Sequence, residues 1–125
     1  MPSMDREAFA ALVGKAVSNL PADFLVEMDN VDVTVSDLPT QRQVRKARLG
    51  RGSTLLGLYE GVPLTQRGAN YQLVLPDKIT LFRLPIEESC TDESQIPVEI
   101  ERVLRHEVAH YFGISDDRLR EMGRY

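Results

Sequence analysis

The sequence predicts a single α+β domain over residues 1–125, and three observations carry that expectation. Apolar residues recur at three- and four-residue spacing near both ends of the chain, the pattern of amphipathic helices. Valines alternate with polar residues at Val31, Val33 and Val35, the pattern of a half-buried strand, and short apolar runs punctuated by Gly and Pro fill the middle. At 125 residues, with 42% apolar and 27% charged side chains, the chain has the size and composition of one soluble globule with one core.

Taken in order, Phe9, Leu12, Val13, Ala16, Val17 and Leu20 form one stripe of a helix from Asp5 to Leu20, broken at Asn19 to Pro21. A second short helix is expected over Asp23 to Met28, because Pro21 suits a helix start and Phe24, Leu25 and Met28 share a face. Val31, Val33 and Val35 then alternate with Asp32, Thr34 and Ser36 in a strand with its valines inward. The stretch from Asp37 to Ser53 carries Arg42, Arg45, Lys46, Arg48 and Arg51 and reads as a mobile basic loop, a solvated flap before an anion-binding one. Leu55 to Tyr59 is a strand entering a turn at Glu60, Gly61 and Pro63. Leu73 to Leu75 runs into a turn at Pro76 and Asp77, and Ile79, Leu81 and Leu84 mark another strand, stopped by Pro85. Glu87 to Gln95 is acidic and polar and fits a surface connection, with Cys90 as an inert structural thiol.

Composition narrows the chemistry. The chain has two His, one Cys and no Trp, so it forms no internal disulfide, no cysteine-rich zinc module and no site of three imidazoles. A net charge of −4 argues against the phosphate backbone as main partner, so no nucleic acid is expected. The segment Met1 to Glu7 lacks the basic and apolar regions of a secretory signal, and no apolar run reaches the about eighteen residues of a membrane span. The expectation is a cytoplasmic protein without membrane association.

Both histidines fall in the last segment, PVEIERVLRHEVAHYFGISDDRLREMGRY, as His106 and His110, with Glu107 beside the first. This is the zinc-hydrolase pattern His-Glu-x-x-His. On a helix the two imidazoles lie about 40° and about 6 Å apart on one face, within reach of one tetrahedral ion. Glu107 comes next around the helix, placed to take a proton from water at the metal rather than to coordinate. Ile100, Leu104, Val108, Tyr111 and Phe112 lie on the far side, Pro97 suits the helix start, and Gly113 suits a left-handed stop. A bland alternative is a surface helix whose following acids merely cap the next one. A catalytic zinc takes three protein ligands and a water, so the third must here be a carboxylate: Asp116, Asp117 or Glu121. Asp116 is preferred, because a tight turn at Gly113 returns the next few residues beneath the imidazoles, whereas Glu121 needs a last helix, Ser115 to Met122, to run back along the first.

These segments resemble the small bacterial zincin-like metallopeptidases known as minimal zincins. The resemblance covers most of the chain and is carried by LLGLYEGVPLTQRG (Leu55 to Gly68), LPDKITLFRLPIE (Leu75 to Glu87) and HEVAHYFGISDDRLREMG (His106 to Gly123), with a weaker match at NVDVTV (Asn30 to Val35). It implies a zincin-like fold in which a small mixed sheet of three to four strands packs on helices, the His-Glu-x-x-His helix among them. It also implies the pattern His-Glu-x-x-His-x-x-Gly-x-x-Asp, matched at His106, Glu107, His110, Gly113 and Asp116.

The expected function is therefore that of a zinc metallopeptidase, a hydrolase of peptide or protein substrates. His106, His110 and Asp116 hold Zn²⁺ and Glu107 is the catalytic base, with a sheet edge from Leu55 to Tyr59 or Ile79 to Phe82 to hold an extended peptide. The competing expectation is a catalytically latent metal-binding or regulatory module whose basic loop contacts an anionic partner.

Overall fold

The computed structural model describes residues 3–28, 30–47, 55–62, 77–114 and 117. Asp5 starts helix α1 (Arg6–Ser18) by accepting the Ala8 N–H at 2.8 Å, which satisfies one of the donors that a helix N-terminus leaves open. Phe9, Val13 and Ala16 form its buried face, and Leu20 follows them into the core. Helix α2 (Ala22–Glu27) begins directly after Pro21, and strand β1 (Val31–Ser36) exposes Asp32 and Thr34 while its valines are half-buried. Both ends of this half of the chain thus follow their apolar periodicity.

The stretch expected to be a mobile basic loop contains a helix, α3 (Gln41–Ala47). Thr40 and Gln43 form a reciprocal cap: the Gln43 N–H donates to Thr40 Oγ1 at 3.1 Å and the Thr40 N–H to Gln43 Oε1 at 2.9 Å. A side-chain anchor then fastens the helix to strand β2 (Gly57–Glu60), where Glu60 accepts from Gln43 Nε2 at 3.1 Å and from Lys46 Nζ at 2.9 Å. Part of the basic charge is spent inside the fold. The remainder of the stretch, residues 48–53, and the apolar run Leu73 to Leu75 lie outside the described residues.

Strand β3 (Asp77–Phe82) is the middle of a three-stranded mixed sheet of order β1-β3-β2. It runs parallel to β1, pairing Val31 with Asp77 and Ser36 with Phe82, and antiparallel to β2, pairing Gly57 with Leu81 and Glu60 with Lys78. A parallel pair needs a crossover, and here α3 and β2 lie within it. Ile79, Leu81 and Phe82 are fully buried, as a central strand requires.

Two expectations after β3 are corrected. Leu84 and Pro85 do not end a strand: they belong to helix α4 (Arg83–Glu88), where Pro85 falls in the first turn and its missing N–H costs nothing. Nor is the acidic stretch after it a surface connection throughout, because Glu87 and Cys90 are both buried. Glu87 is tolerated there because Arg83 Nη1 donates to its Oε2 at 3.2 Å, while the same guanidinium holds Asp37 Oδ1 at 2.9 Å and the Met4 carbonyl at 2.7 Å. The Asp37 carboxyl is held below its ordinary value chiefly by that hydrogen bond from Arg83. Cys90 Sγ donates to the Ile86 carbonyl at 3.3 Å, and burial pushes its thiol pKa up, which makes it a packing residue rather than a nucleophile.

The last long helix, α5 (Gln95–Tyr111), is the hub: α1, α4, β2 and β3 all pack on it. Among the described residues no helix is long and apolar enough to cross a membrane.

The α3 anchor has a pH signature. Burial alone would raise the Glu60 pKa, but the hydrogen bonds from Lys46 and Gln43 and the charges of Lys46 and Lys78 outweigh it, so the carboxyl sits below its ordinary 4.5. A folded value below the unfolded one contributes stability that is complete above the unfolded value and is lost as pH falls through the folded value. Amide-exchange protection over residues 41–47 is therefore expected to hold from about pH 7 to about pH 5 and to fail in acid before that of α5. Protection that survives acid as well in α3 as in α5 would contradict the anchor.

Candidate functional site

Helix α5 presents two faces at once. Ile96, Ile100, Val103, Leu104, Val108 and Tyr111 are buried in the core, while His106 and His110 lie half-buried along one flank. The helix starts two residues before the expected Pro97 and stops where Gly113 takes a left-handed φ of 85°. The Gly113 N–H donates to the His110 carbonyl and the Ile114 N–H to the Ala109 carbonyl, each at 2.9 Å, a paired closure that satisfies the last-turn acceptors. Gly113 therefore ends the helix immediately past the second histidine.

The His106 and His110 rings meet edge to face with centroids 4.8 Å apart. One ring nitrogen of each and a Glu107 carboxylate oxygen all lie within 4.8 Å of one another. The two imidazoles are nitrogen donors of the kind zinc accepts, with the Glu107 carboxylate beside them, and the protein's sole thiol is occupied in the core. The residues thus fit a zinc ion.

Glu107 is placed more deeply than its position at the edge of the metal face implies. It is only 7% exposed, and its Oε1 accepts the main-chain N–H of Tyr59 on β2 at 2.9 Å. A carboxylate removed from water needs such donors, and here a strand supplies one. The approach depends on Gly57: a Cβ there would stand 2.7 Å from Val103 Cγ1, 3.2 Å from Leu81 Cδ2 and 3.3 Å from Glu107 Cγ. The absence of a side chain at Gly57 lets one turn of α5, from Val103 to Glu107, lie against the strand.

Of the third-ligand candidates, Asp116 and Glu121 lie outside the described residues, as does most of the expected last helix, and Asp117 is exposed. The two sheet edges proposed for substrate separate clearly. Ile79 to Phe82 belongs to the central strand and is paired on both sides, so it offers no edge; among the described strands, β2 has a neighbour on one side only. The sequence reading missed the Tyr59 amide and the role of Gly57. A main-chain donor leaves no letter in a sequence, but a glycine inside the apolar run Leu55 to Tyr59 is a signal of close backbone approach.

Comparison with known proteins bears on the family and the fold. A family profile described as zincin-like metallopeptidase matches residues 28–124. Among solved structures, a conserved hypothetical protein from T. thermophilus superposes with a TM-score of 0.60 at 22% identity, covering 97% of this chain and 100% of that one. At that identity the likeness bears on the fold alone. Curated proteins give no match.

The Gly57 contact is directly testable. Gly57→Ala forces Val103 and the helix away from the strand and is expected to cost about 1–3 kcal/mol, the usual range for overpacking, in chemical denaturation. An unchanged denaturation midpoint would contradict the close approach.

Proposed function

The chain belongs to the zincin-like metallopeptidase family, and from that premise we propose that it is a zinc-dependent peptidase in which His106, His110 and Asp116 hold the metal and Glu107 carries the proton. The supporting observation is the convergence of His106, Glu107 and His110 donor atoms within 4.8 Å on the flank of a helix whose other face is core. When bound, zinc supplies Lewis acidity, which lowers the pKa of water and polarises a peptide carbonyl.

The remaining work falls to this chain's own residues. Glu107 accepts the proton of the attacking water and returns it to the departing amine. Its burial against β2 excludes competing solvent and strengthens its interactions with the reacting groups. The substrate is an extended peptide or protein segment taken up beside Glu107 and the histidine pair. Asp116 is assigned on its spacing after Gly113, whose left-handed φ follows the end of the helix.

The second reading, a latent metal-binding module with an anionic partner, is favoured by the exposed Arg42 and Arg45 on α3. It is weakened by the use of Lys46 on Glu60. Hydrolysis distinguishes the two.

The decisive experiment combines metal analysis with a peptide-library digest read by mass spectrometry. Wild type is expected to bind one zinc and cleave. Glu107→Gln should keep the zinc and lose about 10²-fold or more in rate, the usual contribution of a general base. His106→Ala, His110→Ala and Asp116→Ala should lose the zinc. No zinc uptake by wild type, or cleavage by Glu107→Gln at the wild-type rate, would overturn the proposal.

A further inference from the structure

Tyr59 reaches the site from two ends. In the β2–β3 ladder the Phe82 N–H donates to the Leu56 carbonyl at 2.9 Å, so the hydrogen-bonded pairs fall at Leu56, Leu58 and Glu60. At Gly57 and Tyr59 the main-chain groups therefore point to the outer edge. An N–H on such an edge ordinarily faces water; that of Tyr59 instead meets Glu107 Oε1 at 2.9 Å. The carboxylate is held by an atom of a strand, which cannot rotate away as a side chain can.

The side chain of the same residue fixes where that atom lies. Tyr59 OH donates to Asp77 Oδ2 at 3.0 Å, and Asp77, 2% exposed at the head of β3, is itself tied by its N–H to the Asn30 carbonyl at 3.2 Å. The Tyr59 ring packs edge-on against Tyr111 at 5.8 Å, one helical turn beyond Glu107, and Tyr111 OH donates to the Glu27 carbonyl at 2.6 Å. Gly61 makes room for this seat. A Cβ there would lie 2.3 Å from Asp77 Oδ1 and 2.8 Å from Tyr59 OH. One residue thus bridges two successive turns of α5, its ring on Tyr111 and its amide on Glu107, with its phenol locked into the sheet.

Resting on the peptidase reading, we propose that Tyr59 is the positioning residue of Glu107: its main-chain N–H aims the carboxylate beside the histidine pair, and the Asp77 seat of its phenol holds that N–H in place. A packing role alone would be met by the ring. The aimed N–H is what a packing role leaves unexplained.

Two measurements on the full chain test this separately. Residue-resolved amide exchange is expected to show a slow Tyr59 N–H in wild type and in Glu107→Gln, whose side-chain carbonyl still accepts, and a Tyr59 N–H faster by about tenfold or more in Glu107→Ala. The Leu58 and Thr80 amides, which belong to the ladder, should not change. Equal Tyr59 exchange in wild type and Glu107→Ala overturns the contact whether or not the protein is active. In zinc-loaded protein, Tyr59→Ala keeps the N–H and loses the ring, whereas Tyr59→Pro loses both and spares the ladder. The Pro variant should fall about tenfold or more below the Ala variant in kcat, with KM and zinc content alike. Equal kcat overturns the positioning role. No hydrolysis by zinc-loaded wild type overturns the peptidase reading, and the role with it.

Discussion

A carboxylate cannot be buried in a protein without donors, and Glu107 is buried. That constraint organises the rest of the molecule. The Tyr59 main-chain N–H supplies one, so strand and helix must approach to within a single hydrogen bond, which the bare Gly57 allows. Once Glu107 faces the strand, the rotation of α5 is set. Ile100, Leu104 and Val108 go to the core, and His106 and His110, about one-third of a turn or less from Glu107, go to the flank. The histidine flank is therefore a consequence of how the helix docks.

The surrounding elements keep that rotation from drifting. α1 and α4 pack on α5, and the sheet carries β2 on β3, whose buried residues leave it no freedom to slide. Arg83 ties the segment ahead of α1, the end of β1 and α4 together through Met4, Asp37 and Glu87. At the far end of α5 the Gly113 closure ends the helix within one turn of His110. A site of few special residues is held by many ordinary ones.

Much of this was legible in the sequence. The stripe from Phe9 to Leu20, the alternating valines and the His-Glu-x-x-His helix follow periodicities that one element's own geometry imposes. The less legible parts depend on partners distant in the chain. Charge density hid α3, although the Thr40-x-x-Gln43 cap was readable, because its anchor is Glu60 on another element. Polarity hid the burial of Glu87, because its compensation by Arg83 appears only when Pro85 is placed in a helix rather than at a strand end. The Tyr59 contact to Glu107 joins residues 48 apart, and its donor is backbone. No side-chain pattern encodes it.

The central claim is that one helical turn supplies two imidazoles to a metal while its glutamate stays with the strand. X-ray absorption at the zinc edge of the loaded protein tests this most directly. The account predicts two imidazole nitrogens at about 2.0–2.1 Å, with oxygen completing the shell. A sulfur neighbour at about 2.3 Å, or fewer than two imidazoles, would contradict it.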